Sequence, residues 1–165
     1  MKRRRRITAS ELTESLSKDP GYLARVKERD ERIERQVEEY AEEDAMISKQ
    51  AKRLGYKIES VWDFVSNTPH PFLPRPFIGP YERAYPLLIR HLRVKHHEVV
   101  REGIIRALTV KDGGEEVWSA LLTEFKGEAN SELKWVLANA LRAAMPYRLR
   151  RKHPEIAAAL KHVAL

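Results

Sequence analysis

Apolar and polar residues follow a helical period along most of this chain. The longest pattern runs from residue 20 to residue 54, where apolar positions recur in steps of three and four. Its members are Leu23, Val26, Asp30, Ile33, Val37, Tyr40, Asp44, Ile47, Ala51 and Leu54. This is heptad spacing, typical of a helix that packs along one stripe. Because no proline or glycine falls between residues 22 and 54, the pattern predicts one long helix over about 20–54.

Local signals delimit this helix and a shorter one before it. Thr8 and Glu11 have the spacing of a capping box, which predicts a short first helix. Asp19 followed by Pro20 is typical of an N-cap with proline at the first helical position. Gly55 is a residue at which a helix commonly ends. We therefore expect a helical arm over residues 8–55.

The heptad seam of the long helix has two interpretations. A dimerising coiled coil would allow self-association, but two aspartates and an alanine in the seam make a poor zipper. Packing of the helix along its own domain by one stripe, with its far half held less firmly, is therefore the favoured interpretation.

A short helix and a proline-rich segment follow the arm. The stretch "IESVWDFV" predicts a short helix with Ser60 as its cap and Val61, Trp62 and Val65 as apolar anchors. The loop over 67–80 then carries five prolines, which exclude a regular helix. Phe72 and Phe77 lie between the prolines, and we expect them to cover an end of the core. A peptide motif with PxxP spacing that a partner protein binds is the alternative.

Two stretches of the second half repeat each other at a constant offset of 33 residues. "AYPLLIRHLRVKHHEVVREGIIRAL" begins at Ala84, and "VWSALLTEFKGEANSELKWVLANAL" begins at Val117. Ten positions agree in character without a gap, and the agreement includes the length of the turn between the two helices. The matched pairs are Ala84 and Val117, Tyr85 and Trp118, Leu88 and Leu121, Ile89 and Leu122, Leu92 and Phe125, Val100 and Leu133, Arg101 and Lys134, Ile104 and Leu137, Ala107 and Ala140, and Leu108 and Leu141.

The segments "VVREGIIRAL" and "LKWVLANAL" each resemble the second helix of a HEAT repeat. The resemblance as a whole covers residues 81–145. The Asp-Pro usual before that helix is absent, and Gly103 occupies a helix-interior site, which suggests a close approach between helices. The layout is similar to that of small uncharacterised bacterial HEAT-repeat proteins.

The resemblance implies an all-α fold, a short α-solenoid of armadillo type over residues 56–165, with the long helix before it. It also implies that Arg101 and Lys134 pack by their stems and bond to turn carbonyls or a neighbouring acid, with partner binding as their second role. A final helix from Pro154 would cap the stack.

The charge is unevenly distributed. The net charge is +7, of which residues 2–6 supply five. Residues 11–44 contain twelve acids and six bases, whereas residues 141–165 contain six bases and one acid. We expect residues 1–7 to form a disordered basic tail. Both basic ends, residues 2–6 and 142–152, are candidate phosphate-binding segments, through Arg3, Arg4, Arg5, Arg6, Arg148, Arg150, Arg151 and Lys152. For the second, a solvated basic loop that pairs with the acidic long helix is the favoured interpretation.

No catalytic signature accompanies these patterns. The chain has no cysteine, glycine-rich phosphate loop or HExxH motif. His91, His96, His97 and Glu98 resemble metal ligands in type, but adjacent histidines point apart on a helix. We expect instead an exposed basic turn at the rim of the repeats, with no metal and no cofactor.

These observations favour a non-catalytic protein-binding or scaffold module rather than an enzyme. A nucleic-acid-binding protein that uses its basic ends is the first alternative, and an antitoxin-type or immunity-type partner protein is the second. No run of about 18 apolar residues suggests a membrane span, and no secretion signal is recognisable. We therefore expect a cytoplasmic protein without a membrane partner.

Overall fold

The computed structural model describes residues 8–67, 77–111 and 113–145, and all regular structure in these ranges is helical. The α-helices are α1 (Ala9–Leu16), α2 (Pro20–Arg53), α3 (Trp62–Val65), α4 (Tyr85–Leu92), α5 (Glu98–Ala107), α6 (Gly114–Gly127) and α7 (Ser131–Ala144). One turn of 3-10 helix, Glu82–Ala84, precedes α4. The all-α prediction is confirmed for these residues. The helix expected from Pro154 lies outside them.

The predicted ends of the first two helices are confirmed. The Thr8 hydroxyl accepts a hydrogen bond from the Glu11 N–H, and the Glu11 carboxylate accepts one from the Thr8 N–H. Asp19 Oδ1 accepts from the N–H of Gly21 at 2.8 Å, so Asp19 caps α2. Gly55, two residues after the last residue of α2, has a φ of 95°, a conformation that favours glycine.

The chain divides into two units, Met1–Glu39 and Tyr40–Leu165, so the boundary falls inside α2. In the described part of the first unit no residue is buried. Its apolar seam residues Leu23, Ile33 and Val37 are 47%, 47% and 43% exposed. In the second unit the same seam is buried at Asp44, Ile47 and Ala51. The predicted packing stripe is therefore covered by protein only in the last turns of α2.

The core of the second unit lies among the two helix pairs α4–α5 and α6–α7. The helices of each pair pack on each other, and α4 also packs on α6 and α5 on α7. Burial repeats at the offset of 33 residues: Leu88 and Leu121 are both fully buried, as are Ile104 and Leu137. Two independent amphipathic pairs would not need to share these positions.

The first helix pair is also covered by the segment around α3. This helix is a single turn, in which the Ser60 hydroxyl accepts from the N–H of Trp62 at 3.2 Å. Of the apolar side chains here, Val61 and Phe64 are buried, and Phe64 is an anchor that the sequence pattern did not single out. The backbone N–H of Val61 donates to Asp44 Oδ1 at 2.8 Å. Asp44, which weakens the heptad seam as a zipper, thus holds this segment against α2.

The close approach expected at Gly103 of α5 is confirmed. A Cβ atom added there would lie 2.6 Å from Val61 Cγ1 and 3.1 Å from Trp62 Nε1. Glycine therefore lets the segment around α3 come against α5.

Within the described ranges, none of the helices combines the length and the apolar character needed to cross a bilayer.

Candidate partner-binding surface

A shallow groove runs between α5 and α7, the second helices of the two pairs. It has a volume of about 370 Å³ and lies among Glu102, Arg106, Ser131, Glu132, Trp135 and Val136. Because the apolar stripe of each helix faces the core, the groove is formed by the edges of the two stripes and by the polar residues next to them. We call the surface formed by these six residues the α5–α7 groove.

Trp135 is the most prominent apolar group of the α5–α7 groove. Its neighbours Leu133, Val136 and Leu137 are buried, whereas Trp135 lies off this stripe and remains 44% exposed. Large aromatic side chains at this degree of exposure are common anchors of protein interfaces, since they bury much area for few rotatable bonds. The position 33 residues earlier is the polar residue Glu102. Trp135 was not among the predicted site residues, but this mismatch within the repeat is a signal that would have found it.

The α5 side of the groove is polar. Arg106 Nε donates to Glu102 Oε1 at 2.7 Å, an i,i+4 pair in which both side chains are partly exposed. Glu132 is exposed in the first turn of α7. The groove therefore offers an apolar centre with one cation and two carboxylates around it, and no concentration of positive charge.

The starts of α5 and α7 are capped at equivalent positions and joined to each other. His97 Nδ1 accepts from the N–H of Val99, and Asn130 Oδ1 accepts from the N–H of Glu132 at 2.9 Å. Asn130 Nδ2 also donates to Glu98 Oε1 at 2.7 Å. This last bond ties the two helix starts together and fixes one end of the space between them.

Arg101 and Lys134, the repeated basic positions, have different surroundings. Arg101 Nη2 lies 2.9 Å from Glu124 Oε2 and 3.0 Å from Glu128 Oε2, and all three side chains are largely buried. The expected bond to a neighbouring repeat's acid is therefore observed for Arg101. Lys134 Nζ lies 5.6 Å from the centre of the Phe125 ring, a cation–π distance. Their predicted partner-binding role stays a prediction.

The expectation of an exposed basic turn was wrong for two of its histidines. His91 and His96 are buried, and His91 Nδ1 lies 3.1 Å from His96 Nε2. His96 Nδ1 lies 2.9 Å from Glu43 Oε2, and the N–H of His97 donates to the same oxygen at 2.9 Å. The turn is drawn inward because the carboxylate of α2 satisfies two donors that burial would otherwise leave without water. Glu43 is 53 residues from His96, so the sequence pattern did not reveal it.

The chemistry of this histidine pair follows from its acceptor. Because a carboxylate only accepts, His96 Nδ1 carries the proton, and in the neutral ring Nε2 accepts from His91 Nδ1–H. His91 Nε2 then has no hydrogen-bond partner among the residues that the structure describes.

Burial, followed by the charges of His96 and Arg90, lowers the pKa of His91. The backbone N–H of His97 is the largest cause that lowers the pKa of Glu43. This arrangement joins α2 to the turn between α4 and α5.

The remaining predicted site residues lie near or beyond the described ranges. Phe77 is 59% exposed, whereas its neighbour Ile78 packs on the core. The Asn67 side chain joins residue 67 to residues 78 and 79. Its Nδ2 donates to Gly79 O at 2.7 Å, and its Oδ1 accepts from the N–H of Ile78 at 2.8 Å. Outside the described residues lie Phe72, Arg3, Arg4, Arg5, Arg6, Arg148, Arg150, Arg151 and Lys152.

No group of three or more histidine, aspartate or glutamate side chains suited to a metal ion occurs in the described part of the chain. Comparisons with protein-family models, curated proteins and solved structures found no match to this chain.

Proposed function

We propose that this chain is a non-catalytic protein-binding module, built as a short HEAT-like stack, that binds its partner through the α5–α7 groove. The observation that carries the proposal is Trp135, a half-exposed tryptophan between two adjacent helices of the second unit. Burying such a side chain in a partner contributes about 2 kcal/mol or more at interface centres.

The packing of the helices supports the HEAT-like part of this proposal. First helices pack on first helices and second helices on second helices, and the buried positions repeat at the same offset. Stacked helix pairs present a continuous face made of their second helices, and this face is suited to a protein surface.

Rigidity supports the choice of the groove. The Asn130–Glu98 bond and the Arg101 pairs with Glu124 and Glu128 hold α5, α6 and α7 in one arrangement. A surface that is ordered before binding loses little entropy on association. The mixed charges around Trp135 favour a partner with an apolar centre and a polar rim over a phosphate backbone, which requires clustered cations.

Site-specific photocrosslinking tests the proposal. A photoreactive phenylalanine analogue replaces Trp135 in the full chain, and the matched control carries it at Val94, an exposed residue in the α4–α5 turn. In nuclease-treated lysate of the native host, we expect a discrete protein adduct from position 135 and none from position 94.

A second measurement compares affinity for the partner so identified. We expect Trp135→Ala to weaken binding about thirtyfold, which corresponds to 2 kcal/mol, whereas Val94→Ala leaves it unchanged. Both positions are exposed, so both variants should retain the unfolding midpoint of the wild type. Equal crosslinking from positions 135 and 94, or equal binding by the two variants, would contradict the groove as the binding surface.

A further inference from the structure

The first half of α2 presents an apolar stripe that no described residue covers. Leu23, Ile33 and Val37 are all more than two fifths exposed, and Val26 on the same stripe is partly exposed. Exposed apolar residues scattered singly need no explanation, but four at heptad spacing lie on one side of the helix, interrupted at Asp30. This stripe consists of residues other than those of the α5–α7 groove.

The charges beside the stripe indicate what that occupant is. Residues 20–29 contain three bases and one acid, whereas residues 30–39 contain two bases and five acids. A helix with one basic end and one acidic end is complementary to a second copy of itself that runs in the opposite direction. In a parallel pair, each end would instead lie beside an end of its own sign.

The residues in the seam also favour the antiparallel orientation of the two helices. Asp30 occupies a seam position, so a parallel pair would place it directly against Asp30 of the second copy. In an antiparallel pair centred between residues 31 and 32, Asp30 faces Ile33 of the second copy and Val26 faces Val37. Lys27 then flanks Glu34 of the second copy, and the symmetry of the pair creates this contact twice. Lys27 is exposed and only loosely engaged with Glu31, at 3.7 Å, so it can make the new contact.

We propose that residues 20–39 of α2 pair with the same residues of a second copy of this chain as an antiparallel two-stranded coiled coil. The contact buries Leu23, Val26, Ile33 and Val37 and matches Lys27 with Glu34. Because the seam is short and contains Asp30, the dimer is reversible.

Sedimentation equilibrium of the full chain, from about 5 to 500 µM, measures this association. We expect a monomer–dimer equilibrium that the double variant Ile33→Gln/Val37→Gln weakens at least about tenfold, since it removes apolar layers on both copies. The matched control is Glu28→Gln/Arg35→Gln, which introduces the same residue type on the opposite face and leaves the net charge unchanged. A monomer over the whole range, or equal weakening by both double variants, overturns the proposal.

A charge exchange tests the register. Lys27→Glu alone should raise the dimer dissociation constant several-fold, about fivefold or more for two lost pairs. Adding Glu34→Lys should restore it, because the two positions are then exchanged on both copies. Failure of the second substitution to restore dimerisation contradicts the antiparallel register.

The absence of native cysteine allows a direct test of direction. Under mild oxidation, a mixture of the Asp30→Cys and Ile33→Cys proteins should form the mixed disulfide dimer, because these positions face each other only in the antiparallel pair. Efficient crosslinking of Ile33→Cys with itself is the result expected of a parallel pair, and it would overturn the proposal.

Discussion

The two helix pairs bury apolar residues at equivalent positions and differ at several positions that face out of the pair. Ile104 and Leu137 are equally buried, and His97 and Asn130 cap equivalent helices. Gly103, however, corresponds to Val136, which lines the α5–α7 groove. The comparison shows that equivalent buried residues accompany the same packing within each pair, whereas residues that face out of a pair differ with what covers them.

The largest expected effect concerns the shared core. Ile104→Ala and Leu137→Ala should each lower the free energy of unfolding by about 3 kcal/mol, since both remove a fully buried aliphatic side chain. Urea denaturation measures both variants. If the pairs are equivalent, the two losses agree to within about 1 kcal/mol, and a much smaller loss for one would break the equivalence.

The next effect separates the repeated basic positions. Arg101→Ala should cost about 2 kcal/mol, because it leaves the Glu124 and Glu128 carboxylates close together, largely buried and without their cation. Lys134→Ala should cost only about 0.5–1 kcal/mol, the value of a partly exposed cation–π contact. Urea denaturation of both variants at low and high salt provides the comparison. Similar losses in the free energy of unfolding would mean that the two side chains stabilise the fold equally.

A smaller effect is expected at Gly103. Alanine favours helix over glycine by about 1 kcal/mol, but its Cβ would clash with the buried Val61, so Gly103→Ala should destabilise by about 1–2 kcal/mol net. Val61→Ala introduced beside it should reduce that loss, since it removes the clashing Cγ1 atom. Thermal unfolding of the two single variants and the double variant forms the cycle. Additive losses would show that the contact at Val61 is not the cause.

The smallest effect is a dependence on pH that belongs to the first pair. The pKa of His91 is lower in the folded than in the unfolded protein. Its contribution to the free energy of unfolding is therefore present above about pH 6.5 and is lost as the pH falls. Glu43 also has a lowered folded pKa, and its contribution is lost below about pH 4.5.

The unfolding midpoint should therefore decrease from pH 7.5 to pH 5.5, and less so in His91→Asn, which keeps a hydrogen-bonding group without titrating. His91 lies beside His96 and Arg90, whose charges add to the effect of burial on the pKa of His91. An unchanged slope in the variant would assign the pH dependence to other groups.

Local features of this fold could be predicted from the sequence, because their partners are only two or three residues apart. The Thr8–Glu11 box, the Asp19 cap and the end of α2 near Gly55 are of this kind. Among the matched apolar positions of α4–α7, Leu88 and Leu121 are fully buried, whereas Leu122 and Phe125 are only partly buried.

Features that join distant parts of the chain were not predictable in the same way. The heptad pattern does not state where it is covered, and the boundary between exposed and buried seam falls near Tyr40 without a break in the pattern. The basic turn was misread because its acceptor, Glu43, lies on another helix. Trp135 required a comparison between the repeats rather than a motif.

The bonds of Asn67 to Ile78 and Gly79 have a consequence for how this chain tolerates change in length. They join points 11 and 12 residues apart, so the Asn67 side chain holds together the two stretches of chain that meet at this junction. The entropy of closing a flexible loop grows slowly with its length, by about 0.6 kcal/mol per doubling. Insertions between residues 68 and 76, including a peptide tag or a small domain, should therefore leave the helix pairs intact. The junction is therefore a place where we expect the protein to tolerate added sequence.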